Sequence, residues 1–433
     1  MRTIDLRGID LATADLRTLV PRPVVNVEVA TQAAAELIAA VREHGSAALL
    51  EQSERFDGIR PPQLRVPAEA IRAAVDGLDE TVRAALEEAI ARVRQGSAAQ
   101  VPAPQTTALA DGATVTQRWQ PVGRAGLYVP GGKAPLASSV VMNVVPALAA
   151  GVPSLALASP AQKEFGGLPH PTILGAAGLL GVEEVWAMGG AGAIGALAYG
   201  VPDAGLAPVQ LISGPGNIYV AAAKRLVRGI VGIDSEAGTT EILIIADKTA
   251  NPALVAADLL SQAEHDEAAA SVLVTDSPEL ADAAVAALDR QIAATANSGR
   301  AAAALAGPQS AIMLVDDEAA AAAVSNAYGP EHLELHTADP HATLARITDA
   351  GAIFLGGYSP VSLGDYMAGS NHVLPTGGAA RYSSALGAYS FLRAQQVIEY
   401  DRAALASVHD RIVALADAEA LPAHGEAITA RFE

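Results

Sequence analysis

The residues best suited to chemistry lie in the second half of the chain. Glu331 and His332 are adjacent and follow Gly329-Pro330. Proline cannot continue a helix, so the pair is predicted at a helix-to-strand turn. Imidazole titrates near neutral pH and a carboxylate beside it can activate water, a combination suited to general acid–base work. Upstream, Ser261-Gln262-Ala-Glu264-His265-Asp266 closes a helical run that begins near Pro252. Gln262 and His265, three residues apart, share a helix face. Both can ligate zinc, His through a ring nitrogen and Gln through its amide oxygen. Downstream, the polar, glycine-rich stretch Gly364-Asp365-Tyr366 to Ser370-Asn371-His372 follows a strand candidate, where α/β active sites collect. Asp365 could bind metal, and Tyr366 and His372 could hydrogen-bond a polar substrate. Glu419 and His424 add an acid and an imidazole near the C-terminus. Taken singly, each group also reads as a solvated helix end or a surface pair.

Three glycine turns follow strand candidates. Gly190-Ala-Gly192-Ala-Ile-Gly195 has the spacing and strand–helix context of a dinucleotide fingerprint. That fingerprint also needs an acid near the end of the next strand, for a ribose hydroxyl. The next candidate, Val209–Ser213, runs into Gly214-Pro-Gly216-Asn217 without one, so the run reads as a strand–turn–helix glycine cluster. With Pro130-Gly-Gly132 and Gly214–Asn217 it outlines a nucleotide-sized anion site, because glycine lets backbone approach a phosphate and helix N-termini attract negative charge.

These groups must be positioned by an aliphatic scaffold. Of 433 residues, 51% are hydrophobic and 4% aromatic, and the formal charge is −19. Such an acidic chain repels nucleic acid and anionic membranes. With no cysteine, disulfides, thiolate zinc sites and cysteine nucleophiles are excluded. The N-terminus lacks the apolar core of a signal peptide, and the apolar stretch Val140–Val152 is too short to span a membrane. A soluble cytoplasmic protein is expected.

Residues 1–25 read as an arm ending in Pro21 and Pro23, and helical runs are expected at Val27–Leu50 and Pro67–Arg94. Strands are expected at Gly126–Val129, Leu155–Ser159, Glu184–Met188, Val209–Ser213, Glu241–Ala246, Ser271–Thr275, Ala311–Val315, His332–His336 and Ala352–Leu355. Helical segments such as Pro252–Glu264, Pro278–Ala294 and Glu318–Tyr328 separate them. The alternation predicts an α/β fold with parallel sheets. The strands split into residues 126–240 and 241–357, and beyond Pro375 the pattern turns mostly helical.

In this order, GLYVPGG, SSVVMNVVPA, SGPGNIYVAAAKR, SQAEHDE, GPEHLEL, PVSLGDYMAGSNHVLPTGG and EALPAHGEA make the chain resemble the histidinol dehydrogenase family over essentially its whole length. The resemblance implies two incomplete Rossmann-like domains: residues 126–240 contacting NAD, and residues 26–125 with 241–375 carrying metal and catalytic groups. A small N-terminal arm (1–25) and a helical C-terminal unit (376–433), docking on a partner subunit, complete the fold. The family implies a homodimer with shared active sites, one zinc per subunit, and NAD used twice to take L-histidinol through L-histidinaldehyde to L-histidine. By position, Gln262, His265 and Asp365 resemble zinc ligands from one chain and His424 a ligand from the partner. Glu331 and His332 resemble the catalytic pair. Thr240, Tyr366, His372 and Glu419, with the ligands and His332, fall where the family contacts substrate. Tyr128, Gly192 and Asn217 fall where it contacts NAD.

The chain departs from the family pattern in three places. Gly192 replaces a Gln that touches NAD, Gly238-Thr239-Thr240 replaces Gly-Pro-Ser/Thr, and Leu136-Ala137 replaces Tyr-Pro. A zinc hydrolase, a metabolite-binding protein descended from the enzyme, and a dehydrogenase of another amino alcohol are the competing readings.

Overall fold

A computed structural model of the chain describes every residue except 11, 12, 23–26, 133 and 237. Pro23, expected at the end of the N-terminal arm, therefore lies outside the described residues. The strands, in chain order, are β1 (Arg2–Asp5), β2 (Gln105–Ala110), β3 (Ala113–Pro121), β4 (Ala125–Tyr128), β5 (Leu155–Ser159), β6 (Val185–Ala187), β7 (Leu211–Ser213), β8 (Gly232–Ile233), β9 (Glu241–Ala246), β10 (Ala270–Thr275), β11 (Ala311–Leu314), β12 (His332–His336), β13 (Ala352–Leu355) and β14 (Leu392–Tyr400). The chain divides into two compact units: Met1–Gln100 with Gly123–Phe391, and Val101–Val122 with Leu392–Glu433.

The first unit holds two parallel sheets. One has the order β6-β5-β4-β7-β8. Counted along the chain this is 3-2-1-4-5, a dinucleotide-binding order without its sixth strand. The other is β1-β11-β10-β9-β12-β13, again 3-2-1-4-5 with β1 added outside β11. Strand order reverses between β4 and β7 in one sheet and between β9 and β12 in the other. The strand sequences suit this burial: Glu241–Ala246 reads EILIIA and is buried throughout, as expected of a strand covered on both faces. On one face of the larger sheet, Ile242 and Ile244 pack with Val255, Leu259 and Leu280. On the other, Leu243, Ile245, Leu333 and Leu335 pack with Val324 and Tyr328.

Several boundaries differ from the sequence expectation. The run Val27–Leu50 is two helices, Val27–His44 and Ser46–Phe56, broken at Gly45, whose φ of 56° favours glycine. Residues 101–122 separate from the segment 26–125, because β2 and β3 pair antiparallel with each other and β3 with β14. The C-terminal unit therefore starts at Leu392, and alongside its helices Arg402–Ala418 and Pro422–Thr429 it carries this three-stranded sheet. Residues 376–391 stay with the first unit: Leu386 N–H donates to the Val373 carbonyl (2.9 Å) and Ala388 N–H to Gln100 Oε1 (2.9 Å). No helix among the described residues is long and apolar enough to cross a membrane.

The N-terminal segment is built into the fold. β1 pairs with β11, and Arg22 pairs with the buried Glu241 carboxylate (2.6 Å) while stacking on the Tyr328 ring (3.8 Å to its centroid). Burial pushes the Glu241 carboxyl above its ordinary value, and Arg22 opposes that rise. A carboxyl raised in the folded state costs stability as pH climbs through its folded value, and removing Arg22 raises it further. Arg22→Ala is therefore expected to lose about 3–5 kcal/mol at pH 8, the cost of stranding one partner of a buried ion pair, and less at pH 5, where Glu241 is increasingly protonated. Urea unfolding at both pH values checks this; a pH-independent loss would show that Glu241 is not the group responsible.

Candidate active site

The site forms where β9 and β12 begin. The strands are parallel neighbours with His332 opposite Ile242, so the residues just before each strand meet. The Glu331 carboxylate accepts hydrogen bonds from the Thr240 hydroxyl (2.6 Å) and the Glu241 N–H (2.9 Å). Burial pushes the Glu331 carboxyl up to about 8 against those two donors, and the charges of Glu241 and Asp365 push the same way. Glu331 thus carries its proton at neutral pH and is poised to lose it just above.

His332 is buried, and its partners fix its tautomer. Nδ1 lies 3.0 Å from the Glu241 carbonyl and 2.9 Å from Gln262 Oε1, both acceptors. Gln262 is oriented by its own amide, which donates to the Thr240 hydroxyl at 2.8 Å. Nδ1 must therefore carry the hydrogen, which leaves Nε2 with a lone pair. Burial first, then the neighbouring imidazoles of His372 and His265, hold His332 well below the ordinary imidazole range. A neutral imidazole with a lone pair on Nε2 is a proton acceptor at neutral pH.

That lone pair faces His372, whose Nε2 is 2.9 Å away with the two rings stacked. Because His332 Nε2 has no hydrogen, His372 Nε2 must donate; it also lies 3.2 Å from Asp365 Oδ1. His372 Nδ1 is then left with a lone pair, and it is buried without a hydrogen-bond partner. The ring fits here because residue 364 is glycine: a Cβ there would stand 2.7 Å from His372 Nδ1. Asn371 anchors the loop by donating to the Met142 carbonyl (2.6 Å), in the helix Ala137–Ala149 beside the smaller sheet. Asp365 and Tyr366 end the short helix Val361–Tyr366, Tyr366 half exposed, and His265 is exposed just after the helix Pro252–Ala263.

The structure thus brings together Thr240, Gln262, Glu331, His332, Asp365 and His372, with His265 near enough to lower both buried imidazoles. Gln262 offers an amide oxygen, Asp365 a carboxylate and His265 an imidazole, the nitrogen and oxygen donors that zinc accepts. By type these three donors suit a divalent cation; the buried, unpartnered Nδ1 of His372 lies beside Gly364. Glu419 and His424 lie in the second unit, both exposed.

The expected cofactor residues lie at the carboxyl edge of the smaller sheet. Tyr128 ends β4; burial raises its phenol to about 12, and its oxygen accepts a hydrogen bond from Gly190 N–H (3.1 Å). Asn217 is exposed and caps the helix Ile218–Val227, accepting from Tyr219 and Val220 N–H. Gly192 is buried in the helix Gly190–Tyr199, and a Cβ there would collide with the Gln52 amide oxygen. The G-x-G-x-x-G run follows β6, third in its sheet, whereas a dinucleotide fingerprint follows the first strand. Its reading as a local glycine cluster agrees with that position.

Sequence reasoning missed two buried groups. Glu241, Arg22 and Tyr328 form the network beneath Glu331, Tyr328 donating to Glu241 at 3.3 Å. Asp258, Glu334 and His336 bring possible ligand atoms within 4.8 Å of one another, the only His/Asp/Glu cluster among the described residues that meets this spacing. A signal existed for the second. His332, Glu334 and His336 alternate onto one face of β12, and Asp258 precedes Gln262 by one helical turn. Burial, then the charge of Glu334, raises the Asp258 carboxyl.

Comparison with known proteins identifies the family. The family model described as histidinol dehydrogenase matches residues 20–432. The chain is 68% identical over 433 residues to the histidinol dehydrogenase of Leifsonia xyli subsp. xyli, covering 100% of this chain and 99% of that one. It is 61% identical to that of Thermobifida fusca, covering 99% and 97%. Among solved structures, the histidinol dehydrogenase of Elizabethkingia anophelis superposes with a TM-score of 0.93 at 32% identity, covering 100% of this chain and 98% of that one. The chain belongs to the histidinol dehydrogenase family.

Proposed function

We propose that this chain oxidises L-histidinol through L-histidinaldehyde to L-histidine, with NAD as the oxidant and one zinc ion per subunit, as a cytoplasmic homodimer with shared active sites. The observation that carries the reading is the tautomer of His332: a buried, neutral imidazole with its Nε2 lone pair facing the loop that holds His372 and Asp365.

His332 Nε2 takes the proton of the substrate hydroxyl, displacing the hydrogen bond now made by His372. The Nδ1–H bonds to the Glu241 carbonyl and Gln262 steady the imidazolium that results. Glu331, once ionised, takes a proton from water to hydrate the aldehyde, and His332, having released its first proton to solvent, accepts the next hydroxyl proton. Thr240 and the Glu241 N–H hold the Glu331 carboxylate in place. Gln262, His265 and Asp365, completed by His424 of the second subunit, would hold zinc. Zinc would supply orientation for a substrate bearing an imidazole and an amine, and nicotinamide would supply the hydride acceptor. Tyr128, Asn217 and the Gly192 backbone would face NAD. Tyr366, His372 and Glu419 would bind substrate.

The direct test is NADH absorbance with histidinol, with and without a chelator. Activity should require both NAD and metal, and His332→Ala should lower kcat by about 10²–10⁴ with metal content unchanged. Zinc-dependent turnover without NADH would favour a hydrolase instead.

The pH dependence is specific to the second oxidation. A carboxyl raised to about 8 is protonated at neutral pH, so the ionised fraction of Glu331 grows as pH rises toward that value. Histidinaldehyde oxidation should therefore climb between pH 6.5 and 8. Glu331→Gln should flatten this limb and slow aldehyde oxidation more than alcohol oxidation; equal loss in both single-turnover steps would defeat the assignment.

Shared sites make a further test possible. His332→Ala and His424→Ala should each be nearly inactive as homodimers. Their purified heterodimer should regain activity, since one site receives both intact residues. A heterodimer no better than its parents would place His424 in its own chain's site.

A further inference from the structure

At the carboxyl end of β7 the chain turns sharply at Gly214, whose φ is 122°. A Cβ there would collide with the Tyr128 carbonyl, so the end of β7 packs directly on the end of β4. This is the point where strand order reverses in the smaller sheet, the position at which open α/β sheets bind ligands. Gly214 is buried, and its two backbone polar groups go to two charged side chains. Its N–H donates to Asp234 Oδ2 at 2.8 Å, and its carbonyl accepts from Lys224 Nζ at 3.0 Å. Lys224 and Asp234 also pair with each other, their side chains only 1% and 2% exposed.

The pair reaches Gly214 from two directions. Lys224 lies seven residues beyond Asn217, two turns along the helix that Asn217 caps. Asp234 follows β8, and its own N–H donates to the Ile212 carbonyl at 3.1 Å. One ion pair thus ties the start of the glycine loop to the helix after it and to the neighbouring strand. Burying a lysine and an aspartate carries a desolvation cost that a surface pair would not incur. Their hydrogen bonds converge on a single peptide position, which points to a local geometric role.

We propose that Lys224 and Asp234 are positioning residues for the loop Gly214–Asn217, and that by clamping both sides of Gly214 they set the crevice between β4 and β7 for the pyrophosphate of NAD. This rests on reading that crevice as the cofactor site. The pair does not touch the reacting atoms; it fixes backbone N–H groups and the helix N-terminus that face the ligand.

The test separates stability from loop geometry. In the full-length, metal-loaded protein, the affinity for NAD is measured by titration calorimetry, together with Tm, metal content, and KM for histidinol. Lys224→Met should lower Tm, because it strands a buried carboxylate. The double variant Lys224→Met/Asp234→Leu should recover most of that Tm, since apolar side chains can replace a buried ion pair without loss. It should still bind NAD roughly tenfold more weakly, a loss on the scale expected from a small misplacement of a binding group. Its metal content and histidinol KM should be unchanged. Asp234→Asn, which keeps an acceptor for Gly214 N–H, should bind NAD within about threefold of wild type on the same reasoning. A double variant with wild-type NAD affinity would overturn the proposal, as would NAD affinity that merely follows Tm across the three variants. Should the double variant fail to fold, Asp234→Asn decides alone: a tenfold loss there, with its acceptor kept, counts against the clamp. If the wild-type chain binds no NAD at all, the cofactor reading of the crevice falls, and the clamp with it.

Discussion

The candidate site depends on how one buried imidazole is satisfied. His332 is only 3% exposed, so its ring nitrogens find their partners within the protein. Two oxygens crowd Nδ1, the Glu241 carbonyl and Gln262 Oε1, and they oblige it to carry the hydrogen. Everything else follows from that choice. Nε2 becomes the acceptor, His372 must donate to it, and His372 Nδ1 becomes a buried lone pair. Gln262 cannot rotate freely either, because its amide nitrogen is committed to the Thr240 hydroxyl, which is committed to Glu331. A chain of directional bonds thus converts backbone register between β9 and β12 into a protonation pattern.

The two parallel sheets use the same strand order in opposite ways. In the smaller sheet the glycine loops gather at the carboxyl edge beside the switch point, the usual place for a ligand. In the larger sheet Thr240, Glu331 and His332 stand at the amino edge, before β9 and at the start of β12. The segment from Gly364 to His372 bridges the two, since Asn371 hydrogen-bonds the helix Ala137–Ala149 while His372 stacks on His332. On the proposed reading, a substrate at one edge and a cofactor at the other would meet across this segment. Its glycine at 364, where a Cβ would press on His372, reflects how closely it must approach.

Much of this was legible in the sequence. β5, β9, β12, β13 and the helix Glu318–Tyr328 fall at their expected bounds, because each is a continuous apolar or strongly periodic run bounded on at least one side by glycine, proline or acid. β2, β3 and β14 were not legible. They are largely exposed antiparallel strands rich in Thr, Gln and Arg, and their pairing joins segments about 270 residues apart, so no buried face marks them. Among the site residues, the Glu331–His332 pair and Gln262 stood out by type and local spacing. The residues that orient them did not. Arg22 and Glu241 are 219 residues apart, and nothing local in either neighbourhood reveals that one neutralises the other. Lys224 and Asp234 are close in sequence, yet a lysine near a helix end reads as solvated until the fold buries it.

The buried charges share a logic. An Ala-rich aliphatic core packs well but specifies little, since smooth helix and strand faces can slide past one another at small cost. Polar groups buried within it resist sliding, because a shift leaves a donor or acceptor unmet. One face of β12 shows this most fully. His332, Glu334 and His336 project from alternate positions onto a face otherwise covered by Ile242, Ile244, Val255 and Leu259. Two residues along a strand advance about 6.6 Å and four along a helix about 6 Å, so polar positions on β12 and on the helix Pro252–Ala263 can match in steps. His332 meets Gln262 at one step, and Glu334 and His336 meet Asp258 at the next. Glu334 also accepts the Val361 N–H at 2.8 Å, at the start of the short helix that ends in Asp365 and Tyr366. A one-residue slip of β12 would break every one of these bonds together, so the register that creates the His332 tautomer is locked in part by groups outside the candidate site.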